Sequence, residues 1–154
     1  MVRLSYHERW NHTPTMNGVT RLAPLIAGDV AAFAAFGALG LVSHDEAVTW
    51  EVAARVMLPS PAAWFVVAPF AGAFSGRALE GRYPVANVLM VWAVAGVLGM
   101  GGRAVVFDRA LFTAFFAIGI TGAGLFLGGW RAIYNWWATR GRDLTEVGTL
   151  GRRT

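Results

Sequence analysis

The chain has 154 residues, 56% of them hydrophobic, and contains no cysteine. The lack of thiols excludes disulfides, cysteine nucleophiles and cysteine-ligated metal centres. Four separate apolar runs of about 20 residues are rare in a soluble domain of this length, so they predict an all-α integral membrane protein. All 13 basic residues are arginines, and many lie at the ends of the apolar runs. That placement is typical of interfacial anchoring and argues against nucleic-acid binding.

The first apolar run, 22–42, follows a polar arm formed by residues 1–21. The arm contains no apolar stretch typical of a signal peptide, so we expect the run itself to be an uncleaved insertion signal. Its length is sufficient to cross a hydrocarbon core of about 30 Å. Asp29 lies seven residues past Leu22, at a depth of about 10 Å by the helical rise. A carboxyl group at that depth requires a partner, a proton or a function.

The four residues 43–46 read S-H-D-E, the pattern of a helix capping box. They predict a short amphipathic helix over about residues 45–58, lying on the membrane surface between the first two spans. His44 and Asp45 also form a candidate polar cluster on the outer side together with Arg103. The cap explains much of this pattern without any chemistry, and we favour it.

The second apolar run predicts a span over about residues 61–79. Pro69 lies inside the run and is expected to kink its helix. Small residues recur there at helical spacing and predict a face for close helix packing: Ala68, Gly72 and Gly76.

The third and fourth spans are predicted over about residues 85–103 and 111–133. The fourth contains Gly124 and Gly128 in a GxxxG pattern, which also predicts close helix packing. An arginine-rich tail, residues 139–154, follows it. The transmembrane domain is thus a four-helix bundle over residues 22–138.

The arginines predict the orientation of the bundle. With four spans, three arginines lie on the side opposite the termini: Arg55, Arg103 and Arg109. The other ten lie on the side of the two termini: Arg3, Arg9, Arg21, Arg77, Arg82, Arg131, Arg140, Arg142, Arg152 and Arg153. Both termini are therefore expected to be cytoplasmic, and the expected location is the plasma (inner) membrane of a prokaryote.

This topology brings polar residues from all four spans to the cytoplasmic half of the bundle. Asp29 is expected near Arg77, Arg131 and Asn87. One interpretation is an ion pair between Asp29 and one of the two arginines that fixes the helix register. The other is a transport site, either a proton or ion relay or a small anion site formed by the arginines. The sequence leaves both open.

Aromatic residues distributed over the spans form a candidate groove for an apolar ligand: Phe33, Phe36, Phe70, Phe74, Trp92 and Phe126. Such a groove suits a lipid tail, a quinone or a carotenoid. Aromatic side chains at helical spacing are more often bundle packing, and that interpretation is the simpler one.

Motifs for catalysis are missing from the sequence. No histidine lies in a predicted span, so the usual axial ligand of haem is absent there. No Ser-His-Asp set, HExxH motif or phosphate-binding loop is present. We therefore assign no catalytic or metal-binding residue and do not expect an enzyme.

Four features together resemble a known family. They are Gly28-Asp29 in the first span, the S-H-D-E sequence at 43–46, a glycine-rich third span that ends at Arg103, and G-W-R at 129–131. In order and spacing they resemble the small bacterial and archaeal membrane family known as domain of unknown function 3054, over roughly residues 22–138. The resemblance implies a four-helix membrane bundle and no activity. It marks as positions of interest Asp29, His44, Asp45, Arg103 and Arg131.

Two functions fit the sequence. The first is a non-catalytic accessory subunit that packs into a larger membrane complex, photosynthetic or respiratory, and holds lipid, quinone or carotenoid. Its expected partners are membrane lipids and other membrane subunits or a second copy of the chain. The second is a small proton- or anion-coupled transporter that uses Asp29 with Arg77 or Arg131.

Overall fold

A computed structural model describes residues 17–43, 49–106 and 114–150, with side chains described over 22–43, 49–106 and 116–140. These residues form six helices: α1 (Asn17–Val42), α2 (Trp50–Met57), α3 (Pro59–Phe70), α4 (Gly76–Leu79), α5 (Val85–Val106) and α6 (Ala114–Leu150).

The predicted fold class is confirmed. Four stretches are long and apolar enough to cross a membrane: Leu22–Val42, Trp50–Phe70, Val85–Val106 and Phe116–Arg140. The short helix predicted between the first two spans is α2. The second stretch combines α2 with α3, because the two helices meet at Leu58, which itself has helical backbone angles.

The cap of α2 differs from the prediction. Thr49 is the N-cap, and its hydroxyl accepts a hydrogen bond from the Val52 amide at 3.3 Å. Ser43 instead directly follows α1, and its hydroxyl donates to the Leu39 carbonyl in the last turn of that helix at 2.7 Å. The remaining residues of the S-H-D-E sequence lie outside the described part of the chain.

The second span ends earlier than predicted. Helix α3 stops at Phe70, one residue after Pro69, so this proline lies at the helix end and does not kink a longer helix. Gly72 follows with a φ of +75°. The Ala73 amide donates to the Ala68 carbonyl and the Gly72 amide to the Pro69 carbonyl, which is a Schellman helix end. The predicted ridge of small residues is interrupted by this turn.

The helices pack in the order α3, α5, α6, α1, with α1 in lighter contact with α2, α3 and α4. Both glycines of the GxxxG pair in α6 serve this packing. A Cβ on Gly124 would contact the indole of Trp92, and one on Gly128 would contact Leu89. The buried core joins all four spans: Phe33, Trp64, Ala68, Ala73, Val88, Trp92, Ala95, Ala123 and Leu127.

The connection between α3 and α5 packs on one face of α6. The Tyr134 hydroxyl donates to the Leu79 carbonyl at 3.0 Å, and the Asn135 amide donates to the Tyr83 carbonyl at 2.8 Å. Gly81, with a φ of +68°, lies so close that a Cβ there would be 2.9 Å from the Asn135 carbonyl oxygen. Helix α6 then continues to Leu150, so most of the predicted tail is helical.

Candidate functional site

Asp29 and Arg131 form a buried ion pair that links α1 to α6. Asp29 is 0% exposed and Arg131 is 2% exposed. The Arg131 Nε donates to Oδ1 of Asp29 at 2.8 Å, and Nη2 donates to Oδ2 at 2.6 Å. Two parallel N–H···O bonds of this kind are the strong, geometrically specific form of the arginine–carboxylate contact.

Two further groups complete the hydrogen bonds of the pair. The Trp64 indole Nε1, from α3, donates to Oδ2 of Asp29 at 2.9 Å. The Arg131 Nη1 donates to the Ala73 carbonyl at 2.8 Å, and the guanidinium carbon lies 5.1 Å from the centre of the Phe74 ring. Both carboxylate oxygens thus have donors, and the guanidinium uses all three nitrogens. The site ties α1, α3, the turn after α3 and α6 together.

Of the polar residues predicted around Asp29, the structure brings only Arg131 to it. Arg77 lies in α4 and is exposed. Asn87 is half-buried in the first turn of α5 and contributes none of the hydrogen bonds of the pair. Of the two candidate arginines, the partner of Asp29 is therefore Arg131.

The residues next to the ion pair also meet. The indole of Trp130 lies where a Cβ on Gly28 would be, so only glycine fits at that position without movement of the ring. Gly28-Asp29 of α1 therefore faces Trp130-Arg131 of α6 as two matched dipeptides. The Trp130 Nε1 is buried and has no hydrogen-bond partner within the described part of the chain.

The hydrogen bonds that Trp64 and the Ala73 carbonyl form with the ion pair were not predicted from the sequence. A signal existed for each. An indole N–H inside a span needs an acceptor, and Asp29 is the acidic acceptor in the neighbouring span. Pro69 followed by Gly72 is a helix-stop pattern that exposes the next carbonyl groups for other donors.

A cavity of about 400 Å³ opens at the other end of the bundle, between α1, α2, α3, α5 and α6. Its walls are mostly apolar, and the polar side chains that line it among the described residues are Ser43, Ser60 and Arg103. The residues around it are Phe33, Phe36, Gly37, Leu39, Gly40, Ser43, Val56, Met57, Pro59, Ser60, Pro61, Met100, Arg103, Ile118 and Gly119. A second, broader groove of about 610 Å³ lies between α2–α3 and α5 and shares Pro59 and Arg103 with the first.

The six predicted groove residues do not line one groove. Phe33 and Phe36 line the cavity. Trp92 is in the core, where its Nε1 donates to the Ile120 carbonyl at 2.8 Å. The other three are dispersed: Phe74 beside Arg131, Phe126 against Phe36 with ring centres 5.9 Å apart, and Phe70 at the surface, 92% exposed. An aromatic pattern alone did not separate cavity walls from packing and lipid-facing positions.

The predicted outer-side cluster is only partly within the described residues. Arg103 lies in the last turn of α5 and borders both the cavity and the groove. His44 and Asp45 lie outside the described ranges. Among the described residues, no group of histidine and acidic side chains is arranged to bind a metal ion.

Comparison with known proteins identifies a family. No curated protein and no solved structure is significantly similar to the chain. The family described as "Protein of unknown function (DUF3054)" matches residues 26–134, which include the ion pair and the cavity walls. The match covers more than half of the sequence and agrees with the resemblance carried by the motifs. The chain belongs to this family.

Proposed function

We propose that this protein is a non-catalytic membrane subunit that holds an apolar molecule, of lipid, quinone or carotenoid type, in the cavity between its helices. The observation that carries the proposal is the cavity itself. Its volume of about 400 Å³ falls within the range of small-molecule sites, and its wall of aliphatic and aromatic residues with few polar groups is typical of them.

The ion pair supports a structural role for Asp29 in this proposal. A proton or ion relay requires a carboxylate that exchanges partners. Each oxygen of Asp29 instead accepts from Arg131, and Trp64 adds a third bond. Releasing Asp29 would leave a buried guanidinium without its counter-charge, which is strongly unfavourable. The transport alternative therefore predicts that Asp29→Asn abolishes proton-coupled uptake in proteoliposomes, whereas the binding proposal predicts no such uptake in either protein.

Outward-facing glycines support association with other membrane subunits. Gly102 and Gly129 are exposed, and a Cβ on either would meet no heavy atom within 4 Å. Open glycines allow the backbone of a neighbouring helix to approach closely. We expect stoichiometric co-purification with one or more membrane proteins in mild detergent.

The ligand is tested by blocking the cavity. Ser60 lines it, so Ser60→Phe would fill part of its volume. Ala71 is exposed outside the cavity, so Ala71→Phe is the matched control. Organic extracts of the purified protein are analysed by mass spectrometry and absorption. We expect one apolar species in the unaltered protein and in Ala71→Phe, and its loss in Ser60→Phe. Extracts without any bound species, together with no binding of added quinone, carotenoid or lipid, would contradict the proposal.

We also propose that both termini are cytoplasmic, on the basis of the arginine distribution. The chain contains no cysteine, so one introduced thiol reports its own side of the membrane. Ser43→Cys and Arg82→Cys mark exposed positions at opposite ends of the bundle. A membrane-impermeant maleimide added to intact cells is expected to label the first and not the second. The reverse labelling pattern would invert the orientation.

A further inference from the structure

We infer that the groove between α2–α3 and α5 binds a phospholipid with a zwitterionic amine head group, whose ammonium meets Glu51 and whose phosphate meets Arg55. The groove, of about 610 Å³, is a second site beside the cavity, and its role does not depend on the proposed function. Three observations support the lipid: the shape of the groove, its position along the bundle, and two opposite charges at its outer end.

Small residues form the floor of the groove, where α5 approaches α3 closely. A Cβ on Gly99 would be 2.9 Å from the Pro59 carbonyl oxygen and 3.1 Å from the Ala63 Cβ. A Cβ on Gly102, about one turn further along α5, would meet no heavy atom within 4 Å, so the space above the floor is open there. Leu98 lines the groove and is 56% exposed. The groove is therefore an apolar channel on the lipid-facing surface, which suits a hydrocarbon chain.

The groove runs from the end of the bundle towards its middle. Its α5 wall extends from Leu98 to Val106, the last residue of that helix, which is about 12 Å by the helical rise. One leaflet is half of a hydrocarbon core of about 30 Å, so the groove covers most of the depth of a leaflet. Trp50 begins α2 at the outer end and is 84% exposed, as is typical of an indole at the head-group level. A lipid whose chain follows the groove therefore has its head group beside α2.

Two opposite charges lie at this outer end. Glu51 and Arg55 are one turn apart in α2, and both line the groove. Within the described part of the chain, neither of them forms an ion pair or a side-chain hydrogen bond. The Arg55 guanidinium offers a fork of N–H donors that fits two phosphate oxygens, and the Glu51 carboxylate accepts from an ammonium group. Arg103 also borders the groove, but it already has an interaction of its own, so it is not assigned to the ligand.

The charge pattern selects the head group. Phosphatidylethanolamine carries a phosphate and an ammonium on one short linker, so it offers Arg55 and Glu51 a counter-charge each. Phosphatidylglycerol has the phosphate but no cation, and it leaves Glu51 beside a negatively charged ligand. Diacylglycerol has neither group. The three lipids therefore separate the contribution of each charge from that of the hydrocarbon chain.

Two adjacent glycines of α5 provide a matched control. A Cβ on Gly101 or on Gly102 would meet no heavy atom within 4 Å, so both positions accept a larger side chain. Gly102 lines the groove, whereas Gly101 lines neither the groove nor the cavity. Gly102→Leu therefore fills the groove, and Gly101→Leu adds the same side chain next to it. Ser60→Phe fills the cavity, since Ser60 does not line the groove.

The test compares the three lipids with identical acyl chains. The full-length protein in mixed micelles is given equal amounts of each, and native mass spectrometry counts the bound molecules. We expect about a threefold or greater preference for phosphatidylethanolamine over phosphatidylglycerol, the factor that one exposed ion pair provides. Glu51→Gln should remove this preference and Glu51→Lys should reverse it. Arg55→Gln should lower the binding of both phospholipids towards that of diacylglycerol. Gly102→Leu should abolish the selective binding, and Gly101→Leu should keep it.

The outcomes separate the groove from the cavity. Equal binding of the three lipids by the unaltered protein, or a preference for phosphatidylglycerol, overturns the inference even if a variant fails to fold. A preference that survives Gly102→Leu but is lost in Ser60→Phe moves the lipid to the cavity and also overturns it. If Gly102→Leu releases a co-purified membrane protein and no lipid, the groove is a surface for helix packing and the inference is wrong. An empty cavity contradicts the proposed function alone and leaves the groove as a lipid site.

Discussion

Removal of one partner from the Asp29–Arg131 pair is predicted to lower the free energy of unfolding more than removal of both partners does. In Asp29→Ala the guanidinium of Arg131 stays 2% exposed, and of its three hydrogen bonds only the one to the Ala73 carbonyl remains. An uncompensated buried charge of this kind costs about 3–5 kcal/mol. Arg131→Met leaves the carboxylate buried with only Trp64 as a donor, and we expect a similar cost.

The double variant Asp29→Leu/Arg131→Met removes both charges at once. It leaves two neutral groups without partners, the Trp64 N–H and the Ala73 carbonyl, at about 1–3 kcal/mol each. Apolar packing in place of the pair offsets much of that, since such replacements are often neutral or stabilising by about 1–4 kcal/mol. We therefore expect a net cost below that of either single change. The implied coupling energy between the two residues is about 3 kcal/mol or more.

The measurement is reversible unfolding in mixed micelles, followed by circular dichroism, for the two single variants and the double variant. Arg77→Gln is the control, because Arg77 is exposed and its loss should change the free energy of unfolding by about 0.5 kcal/mol or less. The pairing would be refuted if the loss of unfolding free energy in the double variant equalled the sum of the losses in the two single variants. It would also be refuted if Arg77→Gln lowered the unfolding free energy as much as Arg131→Met does.

Three smaller perturbations test the surroundings of the pair by the same unfolding measurement. Trp64→Phe removes one donor from the carboxylate and should cost about 1–2 kcal/mol; no change would mean that its 2.9 Å hydrogen bond contributes nothing. Gly28→Ala forces the Trp130 indole out of place and should lower the unfolding free energy by about 1–3 kcal/mol. Its control is Gly40→Ala, because a Cβ on Gly40 would have no heavy atom within 4 Å; this change should stabilise α1 by up to about 1 kcal/mol. Gly72→Ala places a side chain at a φ of +75° and should cost about 1–2 kcal/mol; a neutral result would refute the tight turn.

The spans were predictable because hydrophobic length is a strong signal. The first span was predicted as residues 22–42, and the structure has the same apolar stretch within α1. The third starts at Val85 as predicted. Where the prediction failed, local hydrogen bonding decided the outcome. Residues 71–79 are apolar enough to continue a span, but the turn at Gly72 satisfies the end of α3 and directs the chain onto α6.

The partner of Asp29 could be narrowed to two residues but not chosen from the sequence. Arg77 and Arg131 both follow apolar runs on the side of the termini, so topology treats them alike. The choice depends on the end of α3 at Phe70, which places Arg77 in the separate helix α4 on the exposed surface. A boundary error of a few residues is enough to hide such a distinction.

The motifs that carry the family resemblance lie at two ends of the bundle and have different consequences. Gly28-Asp29 and Trp130-Arg131 meet each other, so their side chains are explained by the packing of α1 on α6. Arg103 has no part in that contact and borders the cavity instead. A fully hydrogen-bonded pair gains nothing from exchanging partners, while an apolar cavity gains from a ligand that fills it. Substitutions at the first end should therefore reduce stability, and a substitution that fills the cavity, such as Ser60→Phe, should change what the protein binds.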